Sequence, residues 1–332
     1  MLFSGRLLLS SSMVGFIALG CSSPPTAVGD GSGGTPNAAG NAGAGGSTSN
    51  LGGSGGTGNA GSGGTTNLGG NAGAAGNAGA AGSGGVGPTA AVCPTGALFC
   101  DDFEQGDTVG QFPAAPWEDA TNGGGVVTVD ATRAFSGTNS VLATAPGGAE
   151  YRRAFVGLDS ASGIFPAAAG GMYGRAMMWL DTAPTEVHWT FIEASGPAAA
   201  GTHNAQYRYG GQHDSGRLMA NYETSDPVDT DCWDHSEATV MPTGRWACVE
   251  WRFAVATNEM QFWLDGTEVA DLHVTNQGEG CGADDLDGQW LAPPAFDNLY
   301  LGWEHYQPVA GDTNLWVDAV VVDDARVGCP AP

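Results

Sequence analysis

One short segment combines a proton-transferring side chain with residues that pack. In Glu186-Val187-His188, the period of two of a β-strand places Glu186 and His188 on one face, opposite Val187 and Trp189. The imidazole changes its charge near neutral pH, so His188 is a candidate general acid or base. The alternative is a strand histidine with structural contacts only.

A second segment pairs a cation with aromatic rings. Arg175 shares its strand face with Tyr173, Met177 and Trp179. A guanidinium among aromatic rings is suited to stacking on sugar rings and to holding a carboxylate. Arg175 is therefore a candidate for neutralising an acidic substrate.

Two other chemistries lack their residue patterns. The Glu-x-Asp-x-x-Glu strand of jelly-roll glycosidases does not occur, which argues against a retaining hydrolase of that type. The six histidines show no His-x-x-x-His spacing and the cysteines no Cys-x-x-Cys, so the sequence predicts no zinc site.

The charge balance is strongly acidic. All ten basic residues are arginines, against 35 acidic residues, and the net charge is −25. No basic stripe can form, which argues against nucleic acid as a partner. An anionic polymer is a difficult ligand unless the few arginines converge in one groove.

The N-terminal third predicts export and a tether. Residues 1–21 have the apolar stretch of a secretory signal, and Ala18-Leu19-Gly20-Cys21 resembles the bacterial lipobox, with Cys21 as the lipidated residue. An ordinary cleaved signal with an incidental cysteine is the alternative. Residues 22–91 are nearly all Gly, Ala, Asn, Ser and Thr, a composition typical of a disordered linker. We expect a domain anchored to the outer membrane by lipid and displayed at the extracellular surface.

Residues 92–332 predict one all-β domain. Alternating apolar and polar runs, separated by turn residues, recur from Gly125 to Val322 without a competing helical period. This spacing favours a sandwich or jelly roll, which we expect to be a monomer. Beyond Cys21, six cysteines in an exported domain allow up to three disulfides, and we predict only Cys232 with Cys248, across a local loop.

Three segments resemble strands of a concanavalin A-like jelly-roll β-sandwich. They are Ala97 to Glu104 as the first strand, Trp246 to Val269 as a hairpin, and Leu315 to Val322 as the closing strand. The central block is similar to the core domain of fungal cellulose-induced secreted proteins, which are close to glucuronan and alginate lyases. The residues that carry this likeness are Gly174-Arg175, His188 to Glu193, Tyr207 to Gln212 and Gly302 to Tyr306.

The resemblance implies a candidate lyase site. Cleaving a uronan by β-elimination requires a group that neutralises the carboxylate, a base and an acid. Arg175 and His188 suit these tasks, and Tyr209 and Gln212 fall in the segment similar to the lyases' tyrosine-bearing strand. Glu186 stands where those lyases have glutamine and would repel a uronate. Each residue also has a structural alternative, and His305 and Tyr306 either line the groove or cover its rim.

The resemblance also implies a structural calcium site. Its matching positions are Glu104, Ser136, Asn139 and Asp318, whose oxygens suit a hard cation that ties the first strand to the last. A plain turn at 136–139 and a solvated Asp318 are the alternative.

Two classes of function remain open. The first is a surface protein that binds polysaccharide in the groove of the jelly roll, with or without uronan lyase activity. The second is a non-catalytic, lectin-like adhesion module, and a purely structural role is a third alternative. Convergence of Arg175, His188, Tyr209 and Gln212 in one cleft would favour the enzyme.

Overall fold

The computed structural model describes residues 91–148, 151–167, 170–200, 202–225, 230–276, 278 and 290–330. The predicted signal peptide with Cys21, and the predicted linker up to residue 90, lie outside these residues. No helix in the described part has the length and apolar character needed to cross a membrane.

The described residues form sixteen strands and two short 3₁₀ helices, Ser160–Ser162 and Ala270–Leu272. The strands are β1 Phe99–Asp101, β2 Glu118–Asp119, β3 Val126–Asp130, β4 Ser140–Ala145, β5 Arg152–Leu158, β6 Met172–Leu180, β7 Trp189–Pro197, β8 Asn204–Gly211, β9 Arg217–Thr224, β10 Asp231–Val240, β11 Trp246–Ala254, β12 Glu259–Leu264, β13 Thr267–Glu268, β14 Val274–Thr275, β15 Asn298–His305 and β16 Thr313–Asp323.

The strands make two antiparallel sheets packed as a jelly-roll sandwich. The back sheet has nine strands in the order β13-β12-β11-β6-β16-β4-β3, with β1 beside β16 and β14 beside β12. The front sheet has seven strands in the order β10-β9-β8-β7-β15-β5-β2. This architecture confirms the predicted all-β, concanavalin A-like jelly roll.

The core between the sheets is rich in aromatic rings. Alternate residues of each strand turn inward, so Tyr207 and Tyr209 of β8 are buried while Arg208 faces the other side of the front sheet. Tyr209 contacts Phe253 of the back sheet with ring centroids 5.6 Å apart. Trp189 of β7 stacks on Trp303 of β15 at 4.6 Å. These contacts fix which side chains of the front sheet point outward.

The disulfides differ from the prediction. Cys93 bonds to Cys100, and Cys248 bonds to Cys329 across 81 positions of sequence. The predicted pair of Cys232 with Cys248 is therefore wrong, although Cys232 is disulfide-bonded. The physical reason is that β10, with Cys232, is an edge strand of the front sheet, whereas β11, with Cys248, lies inside the back sheet.

Candidate functional site

An open cavity of about 340 Å³ lies on the outer face of the front sheet. Strands β7, β8, β9 and β10 and the segment that follows β15 supply its walls. The lining residues combine amides, carboxylates, one guanidinium, an imidazole and aromatic rings; they are His188, Thr190, Arg208, Gly210, Gln212, Met219, Asn221, Glu223, Asp231, Trp233, Tyr306 and Gln307. We call this space the cavity.

Strand register brings these side chains together. Arg208 of β8 is directly opposite Asn221 of β9, and Asn221 is opposite Trp233 of β10. Glu223 is opposite Asp231 in the same way. Opposed residues on antiparallel strands point to the same face, so the alternating pattern of three strands forms one wall.

Gly210 is required where β7 approaches β8. A Cβ there would lie 1.8 Å from the backbone oxygen of Trp189, which no rotamer can relieve. The register between the two strands shifts between Thr190 and Ile192, at the same place. The shift lets the consecutive residues Phe191 and Ile192 both face the core, so that Thr190 before them and Glu193 after them both lie on the cavity side of the sheet.

A buried ionic network lies beneath the cavity. Arg153 Nη1 is 3.3 Å from Glu193 Oε2 and 3.4 Å from Glu304 Oε1. Arg208 Nε is 3.4 Å from the same Glu193 oxygen, and Arg208 Nη1 bonds to the carboxylate of Glu223. Two guanidiniums therefore share three carboxylates, and neither is free to act as an isolated positive charge.

Tyr306 is tied to this network through its hydroxyl. The hydroxyl donates to Glu304 Oε2 at 3.1 Å and lies 3.0 Å from Thr190 Oγ1. Tyr151 also donates to Glu304. Burial, together with the neighbouring Glu304 and Glu193 carboxylates, raises the pKa of Tyr306 well above its usual value, although Arg208 opposes this shift. At neutral pH Tyr306 is thus a neutral phenol that can donate a hydrogen bond.

His188 stands at one end of the cavity. Its backbone N–H donates to Gln307 Oε1 at 2.7 Å, and its carbonyl accepts from the backbone N–H of Tyr306. The His188 ring lies 5.7 Å from that of His213. Burial and the nearby His213 lower the pKa of His188, against the opposing charges of Asp231 and Asp214. The imidazole is neutral at neutral pH and can accept a proton.

Two carboxylates face the opposite end. Burial raises the pKa of Glu223, with Arg208 lowering it and Asp231 raising it further. Asn221 Nδ2 donates to Asp231 Oδ1 at 2.6 Å, which orients that carboxylate. Acidic groups of the cavity are accordingly concentrated on β9 and β10.

Two of the four predicted catalytic residues line the cavity. His188 does so, and Val187 and Trp189 are buried on the other side as the strand period predicts. Gln212 also lines it, with its Oε1 accepting from Ser215 Oγ at 2.9 Å and from Arg217 Nη2 at 3.0 Å.

The other two predicted catalytic residues lie elsewhere. Tyr209 points into the core, where its hydroxyl donates to Leu272 O at 3.3 Å, because an odd spacing from Gln212 places it on the opposite face of β8. Arg175 belongs to β6 of the back sheet, is fully buried, and donates to the carbonyl groups of Ala91, Val92, Gly328 and Ala319. The four residues therefore do not converge in one cleft, which is the arrangement that would have favoured an enzyme.

Arg208 and Tyr306 are the central residues that the predicted catalytic set omits. Arg208 falls in the segment Tyr207 to Gln212 that carried the resemblance, and it is four residues from Gln212, so a strict period of two would have put both on one face. Glu223 and Trp233 lie outside that segment. Only the pairing of β9 and β10 brings them to the cavity.

The four residues of the predicted calcium site do gather around one turn. Glu104 Oε1, after β1, accepts from the backbone N–H groups of Thr138 and Asn139, both at 2.6 Å. Asp318 Oδ2, on β16, accepts from the backbone N–H groups of Phe135 at 2.7 Å and Ser136 at 3.0 Å. The turn is thus held from both sides by carboxylates of the first and last strands.

The polar groups of this turn fit a hard cation. Ser136 Oγ is shielded from solvent and has no hydrogen-bond partner in the described structure. Asp318 is fully buried, and burial raises its pKa to about 6 despite three backbone hydrogen bonds. Two carboxylates, an unpaired hydroxyl and the Asn139 amide are oxygen ligands of the kind that Ca²⁺ takes.

Comparison with solved structures finds similarity to two proteins. It is 27% identical to the cellulose-induced protein Cip1, over 70% of this chain and 99% of that chain, with a TM-score of 0.49. It is 16% identical to an endo-β-1,4-glucuronan lyase from the fungus Trichoderma reesei, over 68% of this chain and 95% of that chain, with a TM-score of 0.47.

Family membership rests on a different comparison. No curated protein is similar enough to the chain to count as a relative. The model of the Cip1-like core domain, a polysaccharide-lyase-like family, matches residues 102–325, which include every strand from β2 to β16 and all lining residues of the cavity. The chain therefore belongs to the polysaccharide-lyase-like family of Cip1-like core domains.

Proposed function

We propose that this protein binds a polysaccharide chain in the cavity of the front sheet. Membership in the Cip1-like family supports a carbohydrate-related function. The observation that carries the proposal is the lining itself, in which the amides of Gln212, Asn221 and Gln307 stand near the rings of Trp233 and Tyr306. Sugars need this combination, because their hydroxyls form hydrogen bonds while their C–H faces pack on aromatic rings.

Uronan lyase activity is the second candidate, and the pair of His188 and Tyr306 favours it. A neutral imidazole can remove the proton beside a uronate carboxylate, and a phenol can protonate the leaving oxygen. The two residues are joined through a backbone hydrogen bond of 3.2 Å. Against this candidate, Arg208, which would neutralise the substrate carboxylate, is already paired with Glu193 and Glu223. Binding without cleavage is therefore the function that the geometry supports best.

The site of Glu104, Ser136, Asn139 and Asp318 is proposed to hold a structural calcium ion. These residues would bind it through side-chain oxygens, and the ion would supply positive charge that the buried Asp318 lacks. The site lies on the back-sheet side of the fold, where β1 pairs with β16, so its role is to stabilise the domain.

The proposed location is the extracellular surface, with Cys21 as a lipid anchor in the outer membrane and residues 22–91 as the tether. The Cys93–Cys100 and Cys248–Cys329 disulfides support an oxidising compartment. The domain is proposed to act as a monomer.

The test uses the full chain with calcium and a panel of glucuronan, alginate, pectate and neutral glucans. Ultraviolet absorbance of the unsaturated product reports cleavage, and retention on each immobilised polymer reports binding. Retention without an absorbance rise is the expected result. A rise on a uronan would establish the lyase instead, and no retention on any polymer would refute polysaccharide binding.

A further inference from the structure

The cavity contains one permanent cation among its described lining residues, and that cation is already paired with two carboxylates of the protein. Arg208 is only 7% exposed. Its Nε lies 3.4 Å from Glu193 Oε2, its Nη1 bonds to Glu223, and its Nη2 bonds to Gln206. Nη1 and Nη2 therefore each donate to an acceptor from the protein itself, and Nε contributes an ion-pair contact without a hydrogen bond.

The two carboxylates that contact Arg208 differ in their exposure to solvent. The Glu193 side chain is 3% exposed and belongs to the buried network, whereas the Glu223 side chain is 34% exposed and lines the cavity. Glu223 therefore meets the guanidinium from the open side. A carboxylate arriving with a ligand would need the same nitrogen.

The surroundings of Glu223 add negative charge. Asp231 is its direct partner across β9 and β10 and also lines the cavity. Glu193 and Glu304 lie beneath, with Arg153 between them. Four carboxylates thus face two guanidiniums in and below the cavity, so an added carboxylate meets net repulsion.

We infer that Glu223 is a specificity-determining residue that excludes uronates from the cavity by occupying Arg208 in their place, leaving it selective for uncharged polysaccharides. This inference rests on the proposed function. Neutral sugar hydroxyls are compatible with the same groups, because they donate to the carboxylates of Glu223 and Asp231 and to Asn221 Oδ1, and accept from the amide N–H of Gln212. A uronate carboxylate forms no favourable contact with the Glu223 carboxylate and must displace it from Arg208.

The test compares oligosaccharides of equal length that differ only in oxidation at C6. Two matched pairs serve as probes: β-1,4-glucan with β-1,4-glucuronan, and β-1,4-mannan with β-1,4-mannuronan. Titration calorimetry gives their affinities for the full chain and for Glu223→Ala. In the wild type the neutral member of a pair should bind more tightly.

In Glu223→Ala, the affinity for the matching uronan should rise roughly tenfold or more, since one charge-assisted bond to Arg208 becomes available. Affinity for the neutral member should not rise and should fall modestly, because its hydroxyls lose the Glu223 acceptor. Glu223→Gln, which keeps the side-chain volume and removes the charge, should give a smaller gain. Glu237→Ala is the matched control, because it removes an exposed carboxylate of β10 that does not line the cavity.

Two results would overturn the inference while the proposed function stands. One is a wild type that binds a uronan as tightly as its neutral partner. The other is a Glu223→Ala variant with unchanged uronan affinity. If no member of any pair binds either protein, polysaccharide binding itself is refuted and the inference falls with it. Thermal unfolding of each variant confirms that the proteins compared are folded.

Discussion

Arg175 connects the N-terminal and C-terminal segments of the domain through hydrogen bonds. Its guanidinium bonds Ala91 O at 3.0 Å, Gly328 O at 3.3 Å and Ala319 O at 3.3 Å, which belong to the N-terminal segment, the C-terminal segment and the β16 bulge. Burial lowers its pKa to about 10, against the opposing charge of Glu250. The side chain is a cation held by backbone carbonyls, and its role is structural.

Replacing Arg175 by Ala is therefore expected to reduce the free energy of unfolding by about 3 kcal/mol, because buried carbonyl groups lose their donor and a void forms. Affinity for polysaccharide, measured on folded protein, should be unchanged. Urea unfolding and calorimetric binding check the two expectations separately.

The control for this variant is Arg245→Ala, which removes an exposed arginine paired with Asp265 and should cost less than about 1 kcal/mol. Loss of binding at unchanged stability in Arg175→Ala would contradict the structural role.

His305 is the residue with the clearest consequence for pH. It is fully buried in β15, and neither ring nitrogen has a hydrogen-bond partner in the described structure. Burial and the adjacent Arg152 lower its pKa. In the unfolded chain histidine binds a proton near pH 6.5, so below about that pH the unfolded state binds more protons than the folded state.

Stability contributed by neutral His305 is thus present above about pH 6.5 and is lost as the pH falls below that value. His305→Leu removes the titrating group and therefore this loss. The free energy of unfolding of the variant, relative to that of the wild type, should increase as the pH falls below 7. Urea unfolding across the pH range measures it. A constant difference would show that His305 does not titrate on unfolding, and His235→Leu is the control at a partly exposed histidine.

The pairing of strands brings together the residues of the proposed calcium site. The short β1 pairs with β16, and the turn between β3 and β4 bonds to a carboxylate from each side. Asp318 lies where the register of β16 shifts, and the following Ala319 has a φ of 51°. This bulge changes the local direction of β16, and the Asp318 side chain points toward the turn between β3 and β4.

A chelator should lower the melting temperature of the full chain by several degrees, and added calcium should restore it, because an ion that binds only the folded state stabilises it. Asp318→Asn should abolish the calcium response. Asp324→Asn, just after β16 and exposed, should keep it. Equal melting temperatures with calcium and with chelator would argue against the site.

Strand periodicity predicts faces well and local irregularities poorly. It correctly placed His188 opposite Val187 and Trp189. Tyr209 and Gln212 are three positions apart, and this odd spacing separates them into core and cavity. The shifts in β7 and β16 carry no sequence signal of comparable strength, since each depends on the neighbouring strand.

At the scale of the whole molecule, the sequence predicted the sandwich but not the assignment of strands to sheets. The cavity draws on residues from His188 to Gln307, and only the order of the front sheet makes them neighbours. The same missing assignment of strands to sheets accounts for two differences between prediction and structure. Arg175 of the back sheet was grouped with residues of the front sheet, and Cys232 of the front sheet was paired with Cys248 of the back sheet. Long-range strand pairing is the information that local patterns lack.

The two outer faces of the sandwich also differ in their aromatic residues. On the back sheet, Trp179 meets Trp246 edge to face, with ring planes at 75°, and Arg133 covers Trp179 at 4.7 Å. These rings pack on each other and form no flat strip. On the front sheet, Trp233 lines the cavity and is only partly buried. Polysaccharide contact is therefore proposed for the front face alone.

The most direct test compares Trp233→Ala with Trp179→Ala, two partly buried tryptophans on opposite faces, by calorimetric titration of the full chain with its best-retained polysaccharide. Trp233→Ala should weaken binding roughly tenfold or more, as expected for an aromatic anchor in a pocket, while Trp179→Ala should bind like the wild type when equally folded. Unchanged affinity in Trp233→Ala with loss in Trp179→Ala would contradict the account and move the binding surface to the back sheet.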